Sequence, residues 1–230
     1  GIRNQCEALE RAAAPRLTEE LLGLLRSGHA DVSFDWMREL GMLDVLLPEL
    51  DAVADDPDAA DGFGDLLRVI DHLPAKTRRG VPDAVLLAAV LLPEVMARRF
   101  DAEAITRRTM PISVFRDMAL DVVEGFLERF ALANHKKTSV LHVYEQFHRL
   151  CTARPDDRRA RQIARKRHFT EALTLLEWLC TATGDALQLL DAWRNLAVLV
   201  PPESSAERSR GDGGGRRPSS RRRRRRAPRR

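Results

Sequence analysis

Aromatic residues and alternating β-branched stretches are scarce in this chain of 230 residues. Phe, Trp and Tyr together make up 5% of the sequence, whereas 44% is hydrophobic, mostly Leu, Ala and Val. A half-buried strand needs apolar and polar residues in alternation, enriched in β-branched and aromatic side chains. Because no such stretch occurs, the sequence predicts an all-α fold of packed helices.

Cysteines and long apolar runs are also few. Cys6, Cys151 and Cys180 are widely spaced and odd in number, and they form no Cys-x-x-Cys pair or Cys/His zinc spacing. This pattern argues against a disulfide framework and against a structural zinc site. The longest apolar run, Ala84 to Leu92, is too short to span a bilayer. We therefore expect a protein of the reduced cytoplasm.

Negative charge is almost missing from residues 203–230. This segment holds twelve of the 38 Lys and Arg residues and three acidic residues, a net charge of +9, while the remainder of the chain carries −5. Because like charges oppose compact packing, the segment is predicted to be a disordered basic tail that attracts phosphates. A solvated tail without a specific partner is the alternative. The densest run consists of Arg221, Arg222, Arg223, Arg224, Arg225 and Arg226.

Helical periodicity and turn signals predict helical segments at 1–60 and 61–202, followed by the basic tail (203–230). Gly28 is predicted to end one helix, and Asp31 or Ser33 to begin the next. Pro82 is predicted to open a buried helix that reaches Arg99. The acidic residues 51–61 and the basic residues 76–80 are both predicted to be loops.

A second concentration of positive charge lies between Arg158 and Arg167. Arg158, Arg161 and Arg165 follow an i, i+3, i+7 spacing, which predicts one shared helix face next to Lys166. Guanidinium groups bind phosphates through paired hydrogen bonds but do not read base sequence. We therefore predict a track for the RNA backbone, with a merely solvated helix face as the alternative. The residues predicted to continue this track, if the helices bring them together, are Arg107, Arg108, Lys136 and Lys137.

Residues capable of catalysis or metal binding do not cluster in the sequence. Asp55, Asp56, Asp58 and Asp61 lack the glycine and the terminal glutamate of a calcium loop and are interpreted as solvated. The histidines are scattered, so neither a catalytic residue nor a metal site is predicted within the chain. The three large rings, Trp36, Trp178 and Trp193, are predicted to be core residues rather than base-stacking platforms.

The region from Pro15 to Leu50 carries a motif-like series of residues. The series consists of Pro15-Arg16-Leu17-Thr18-Glu19-Glu20-Leu21-Leu22, Leu24-Leu25, Met37-Arg38-Glu39-Leu40-Gly41-Met42-Leu43 and Leu46-Leu47-Pro48-Glu49-Leu50. It resembles the neck of the class II RNA nucleotidyltransferases, which comprise bacterial poly(A) polymerases and CCA-adding enzymes. Further on, Leu86–Pro93 looks like the buried body helix of that family. Arg165–Ala172 and the arginine-rich end are similar to the poly(A) polymerase branch.

This resemblance implies an RNA-binding and RNA-positioning region of a template-independent poly(A) polymerase, which adds AMP from ATP to RNA 3′ ends. The region would bind single-stranded RNA without sequence preference and so contribute to RNA polyadenylation. By the same resemblance, Arg16 and Glu20 would brace the neck against the nucleotide pocket of the catalytic head. A plain ion pair on the helix surface is the alternative reading of these two residues.

The sequence shows neither the Gly-Ser turn nor the paired aspartates with which that head holds two metal ions. The head is therefore expected upstream of Gly1, where it would bind ATP and Mg²⁺, and no cofactor is expected in this chain. Two alternatives stay open. One is a fragment of a CCA-adding tRNA nucleotidyltransferase, and the other is a non-enzymatic helical RNA- or DNA-binding protein with a basic tail.

Overall fold

The structure, a computed structural model, describes residues 14–50, 57–130 and 132–200. Within these ranges every regular element is helical and no residue lies in a strand, which confirms the predicted all-α fold. Among the described helices, none combines the length and apolar character that a membrane span requires. The predicted disorder of the tail falls outside the described residues. In chain order the helices are α1 (Ala14–Leu25), α2 (Ala30–Glu39), α3 (Leu43–Leu46), α4 (Pro57–Asp71), α5 (Ala75–Gly80), α6 (Asp83–Thr106), α7 (Ile112–Phe130), α8 (Asn134–Thr152), α9 (Ala160–Ala164), α10 (Phe169–Thr183) and α11 (Leu187–Leu199).

Helix α6 is the central helix of the core. All eight residues from Val85 to Leu92 are buried, so the helix is apolar on every side, as expected of a helix surrounded by others. It packs against α1, α4, α7, α8 and α10. It continues to Thr106, beyond its predicted end at Arg99, even though Pro93 lies inside it. Burial on both sides of Pro93 outweighs the tendency of proline to end a helix.

Helix α8 packs against α6, α7 and α10 and completes the core. The buried hydroxyl of Tyr144 on α8 donates a hydrogen bond to the carbonyl oxygen of Ala88 at 2.7 Å. The indole nitrogen of Trp193 on α11 donates to the carbonyl oxygen of Leu150 at 3.0 Å. Both polar groups are thus satisfied where they are buried, which fixes α8 between α6 and α11. The apolar core is continuous from Leu21 to Val200.

A buried arginine, Arg78, joins the first helix to the rest of the fold. Its guanidinium donates to the carbonyl oxygens of Arg26 (3.0 Å) and Ser27 (3.2 Å), which follow α1. It also donates to the carbonyl oxygens of Asp71 (2.6 Å) and Leu73 (2.8 Å), at the end of α4. The cation therefore occupies two helix C-termini, whose carbonyl groups lack helical partners. The prediction of a basic loop at 76–80 is wrong, because these residues form α5 and bury Arg78.

The N-terminus of α2 is also held by a distant residue. The Asp71 carboxylate accepts hydrogen bonds from the backbone N–H groups of Ala30 (2.9 Å) and Asp31 (3.0 Å). The predicted cap by Asp31 or Ser33 is wrong, since the hydroxyl of Ser33 donates to the carbonyl oxygen of His29 instead. Asp71 thus supplies both a carboxylate to α2 and a carbonyl to Arg78.

The acidic loop predicted at 51–61 is only partly within the described chain. Residues 51–56 lie outside it, and residues 57–61 form the first turns of α4. Pro57 at the start of this helix is favourable, because its missing N–H would have no helical partner there. The loop prediction is therefore wrong for residues 57–61.

Gly28 should be needed for the Arg78 contacts. Its φ is +89°, and a Cβ atom added there would lie 2.5 Å from Nη2 and 2.8 Å from Cζ of Arg78. We expect Gly28→Ala to lower the free energy of unfolding by about 1–3 kcal/mol in urea titrations, because it strains the backbone and displaces a buried guanidinium. Gly23→Ala is the control. Its Cβ meets nothing within 4 Å inside α1, and it should raise stability by about 0.5–1 kcal/mol. Equal effects of the two substitutions would contradict this role of Gly28.

Candidate RNA-binding surface

Residues 154–167, here called the basic segment, connect α8 to α10 and contain α9. Ala160, Ile163 and Ala164 are buried, and α9 packs on α8 and α11. Within the described residues, none of the exposed cations of the segment forms an ion pair with a carboxylate. The segment therefore presents its positive charge to solvent. Its exposed cations are Arg154, Arg158, Arg159, Arg161, Arg165, Lys166 and Arg167.

The prediction that Arg158, Arg161 and Arg165 share one helix face is wrong. Helix α9 has five residues, so Arg158 lies in the turn before it and Arg165 at its C-terminal end. Like charges three or four residues apart oppose the extension of so short a helix. The arginines are therefore spread along a bent segment, but all three remain exposed.

Arg107 and Arg108 lie in the connection between α6 and α7, and both are exposed. This connection is attached to the C-terminal half of α8, because Nε2 of His148 donates to the carbonyl oxygen of Met110 at 2.9 Å. Burial, with Arg99 nearby, lowers the pKa of His148 from 6.5 to about 4, so the ring is neutral at pH 7. The basic segment begins just beyond the same end of α8. The structure thus places Arg107 and Arg108 at the end of the core from which the basic segment departs.

Lys136 is part of an internal charge network instead. Its ammonium lies 3.0 Å from Oδ2 of Asp83 and 3.6 Å from Oε1 of Glu19. The guanidinium of Arg26 contacts Oδ1 of Asp83 at 2.6 Å. Burial alone would raise the pKa of Asp83, but the hydrogen bonds from Arg26 and Lys136 lower it below its ordinary value. Lys136 therefore connects α8 to α6 and α1, and its charge is largely neutralised.

Lys137 is also paired, with Glu124 on α7. Both lysines lie in the first turn of α8, about 20 Å from Arg149 in its last turn at the usual helical rise. The structure therefore does not bring Lys136 and Lys137 together with the basic segment. The predicted continuous track therefore does not include Lys136 and Lys137.

Arg16 and Glu20 form an exposed i, i+4 pair on α1, with 3.7 Å between Nε and Oε1. Such solvent-exposed pairs stabilise a helix very little. Their proposed contact with a catalytic head stays a prediction. The six arginines Arg221–Arg226 lie outside the described residues.

The three tryptophans do not share one environment. Trp178 and Trp193 are buried as predicted, with 3% and 0% exposure. The prediction for Trp36 is wrong, because this ring is 66% exposed. Phe34 occupies the buried side of α2, and a residue two positions later points to roughly the opposite side of a helix. The spacing of Phe34 and Trp36 in the sequence therefore already indicated that Trp36 is exposed if Phe34 is buried.

The described residues that line two larger cavities carry no uncompensated positive charge. A cavity of about 510 Å³ beside α1 is mainly apolar and is lined by residues such as Leu21, Met37 and Phe130. A cavity of about 490 Å³ between α4 and α10 contains Arg68, whose guanidinium is paired with Asp31 and Asp65. Among the lining residues that the structure describes, neither cavity offers a free cation to a phosphate.

A third cavity of about 280 Å³, here called the α8 cleft, adjoins the basic segment. One wall is α8 and the other is the turn that leads into α10. All seven of its lining side chains are polar, and three of them are Arg or Lys. The lining consists of His142, Glu145, Gln146, Arg149, Lys166, Arg167 and His168.

The described part of the chain gives little evidence of a metal site or of a reactive cysteine. No group of three or more His, Cys, Asp and Glu residues is arranged there to hold a metal ion. Cys151 and Cys180 are free thiols. Burial raises the pKa of Cys151 to about 11, so its thiol is not activated.

Removal of two cations from the basic segment should change how salt affects RNA binding. For a single-stranded RNA, we expect Arg161→Gln/Arg165→Gln to reduce the slope of log K against log salt by about 1.4, or about 0.7 for each lost phosphate contact. The control is Lys76→Gln/Arg79→Gln, which makes the same change in net charge at exposed positions of α5. Fluorescence anisotropy at salt concentrations from about 50 to 300 mM, roughly the range over which phosphate contacts weaken, measures the slope for each double variant. Equal reductions would contradict a localised surface.

The N-terminal region of the chain matches a known protein-family model. Residues 1–53 match the family model described as "Probable RNA and SrmB- binding site of polymerase A". The match includes α1, α2 and α3, while no curated protein matches the chain. The first 53 residues are thus similar to an RNA-binding region of a poly(A) polymerase, and the basic segment lies outside that match.

Proposed function

We propose that this chain is the RNA-binding and RNA-positioning region of a template-independent poly(A) polymerase of the bacterial class II nucleotidyltransferase type. The observation that carries the proposal is the match of residues 1–53 to the RNA-binding site of polymerase A. The exposed cations of the basic segment, which form no ion pair with the described residues, also support it. The neck (1–60) and the body (61–202) would act together, with the tail (203–230) as an additional phosphate-binding arm.

Contacts between the neck and the body support a positioning role. The buried hydroxyl of Thr18 on α1 donates to the carbonyl oxygen of Phe130 at the end of α7, at 2.9 Å. Arg129 on α7 pairs with Glu49 in the neck. Because these contacts supplement those of Arg78, RNA bound to the body would keep a fixed position relative to the neck. A rigid support of this kind favours the alignment of a 3′ end for reaction.

In this proposal, the basic segment and the tail bind RNA phosphates by charge and do not select a sequence. Nucleotidyl transfer, with ATP and Mg²⁺, belongs to a head outside this chain. Arg16 and Glu20 would contact that head. The two alternatives, a CCA-adding enzyme and a binding protein without enzyme activity, differ in what they do to an RNA 3′ end.

An adenylation assay separates these possibilities. The chain itself and the product of the reading frame extended upstream are each incubated with Mg²⁺ and a labelled single-stranded RNA or a tRNA without its CCA end. ATP is supplied alone or together with CTP. We expect the chain to bind RNA without extending it. We expect the extended protein to add a run of A residues from ATP alone.

Other results would contradict the proposal in distinct ways. Addition limited to C, C and A on the tRNA would identify a CCA-adding enzyme. RNA binding without nucleotide addition by either protein would favour a non-enzymatic binding protein. Failure of the chain to bind RNA at all would remove the basis of the proposal.

A second function, binding of a protein partner, is favoured by the exposed Trp36. Val32 and Trp36 lie four residues apart on α2 and are 54% and 66% exposed. Asp35 beside them is paired with Arg38 at 3.6 Å, so Arg38 is not a free cation for a phosphate. Exposed tryptophans commonly anchor protein interfaces. Because the matched family description also names SrmB, we propose that this face of α2 binds SrmB.

Substitution of Trp36 tests the partner site. We expect Trp36→Ala to weaken binding of purified SrmB by about 30-fold, as for a central aromatic anchor, and to leave RNA affinity within about twofold. The control is Phe100→Ala, which removes another exposed aromatic side chain, on α6. If the Trp36→Ala variant binds SrmB as tightly as the unsubstituted chain does, the proposal that this face of α2 binds SrmB is wrong. A loss of RNA affinity would instead place Trp36 at the RNA interface.

A further inference from the structure

An exposed aromatic ring and two exposed cations lie near the same end of α6. Phe100 on α6 is 58% exposed, which leaves its ring in contact with water. Arg107 and Arg108 follow two helical turns later, in residues 107–111, here called the α6–α7 turn. Both arginines are exposed, and neither forms an ion pair with the described residues. A flat apolar group that carries negative charge beside it would suit both features.

The α6–α7 turn is held firmly, so its arginines leave a fixed backbone. The backbone N–H of Met110 donates to Oε1 of Glu103 at 2.9 Å, and the hydroxyl of Thr106 lies 3.3 Å from the carbonyl oxygen of Arg108. The backbone of Arg107 is left-handed, with φ 52°. This conformation costs a nonglycine residue free energy and persists only where the surroundings fix it.

The turn folds back on the side of α6 that adjoins Phe100. Glu103 marks this side because it accepts the bond from Met110, and Phe100 lies about 60° from Glu103 around the helix, one turn earlier. Burial alone would raise the pKa of Glu103, but the hydrogen bonds from Met110 and Arg99 lower it below its ordinary value. The charge of this carboxylate is therefore compensated inside the fold, and the two exposed cations of the turn stay available.

From these observations we infer that Phe100 stacks one base of a single-stranded RNA while Arg107 and Arg108 bind neighbouring phosphates. Every base has a flat face, so stacking on an aromatic ring beside a basic surface binds single strands without reading sequence. The inference rests on the proposed RNA-binding function. It adds a contact to the base itself, which a duplex cannot make because its bases are paired and stacked.

Phe100→Ala tests the stacking contact in the full chain. Because the ring is exposed, its removal should leave the thermal midpoint unchanged. Affinity for a single-stranded oligo(A) should fall about tenfold, as for one lost base–aromatic contact. Affinity for an abasic ribose-phosphate oligomer of the same length should change less than about twofold. The salt slope should stay the same, because no phosphate contact is lost.

Two further variants are matched controls for the ring. Ile105→Ala removes an apolar side chain that is 83% exposed and lies about 140° around α6 from Phe100, and it should bind both oligomers like the unsubstituted chain. Phe100→Trp should keep the affinity for oligo(A), because a larger ring still stacks. Phe100→Ala should bind SrmB normally, which separates its effect from that of Trp36→Ala.

Arg107→Gln/Arg108→Gln tests the phosphate contacts. We expect this double variant to weaken binding of oligo(A) and of the abasic oligomer equally and to reduce the salt slope by about 1.4, or about 0.7 for each lost contact. An unchanged slope would exclude these phosphate contacts.

Other results would overturn Phe100 as a stacking residue. One is unchanged oligo(A) affinity in Phe100→Ala with a native thermal midpoint. Another is an equal loss for oligo(A) and the abasic oligomer, which would exclude a contact to the base. In both cases the unsubstituted chain still binds RNA, so the proposed function survives. If the unsubstituted chain binds neither oligomer, the proposed function fails together with this inference.

Discussion

The buried guanidinium of Arg78 is the interaction on which the arrangement of neck and body depends. It bonds to four carbonyl oxygens that follow two helices, while Gly28 leaves the space that the guanidinium fills. Asp71 then uses its carboxylate to hold the start of α2. Three helix ends are therefore held by two charged side chains, Arg78 and Asp71. The position of α1 and α2 relative to the central helix α6 follows from this junction.

The two ends of α8 use positive charge differently. At the N-terminal end, Lys136 and Lys137 are bound to carboxylates and hold helices together. Beyond the C-terminal end, the cations of the basic segment have no carboxylate partners within the described chain. Charge that is paired internally stabilises the fold, whereas unpaired charge is available to phosphates. This difference, rather than the number of basic residues, indicates where RNA would bind.

Local sequence patterns were sufficient to predict some features of the fold and were not sufficient to predict others. The apolar run from Val85 to Leu92 indicated a buried helix, because this pattern depends on neighbouring residues. Gly28 was predicted to end a helix, but α1 ends at Leu25, and Gly28 takes the left-handed conformation three residues later. The burial of Arg78 could not be predicted, since its partners lie up to 52 residues away. The same holds for the pairing of Lys136 with Asp83. The α8 cleft was missed because Gln146 and Lys166 come together only when α8 packs beside the turn before α10.

Crosslinking of RNA to the full chain tests the central claim most directly. A single-stranded oligo(A) that carries photoreactive bases is bound at low salt, irradiated and located on the chain by mass spectrometry of peptides. The account predicts that, among the described residues, crosslinks concentrate in peptides from residues 142–168, which contain the α8 cleft and the basic segment, and in the peptide that contains Phe100. Crosslinks confined to α5 or to the exposed face of α2, with residues 142–168 unlabelled, would contradict it.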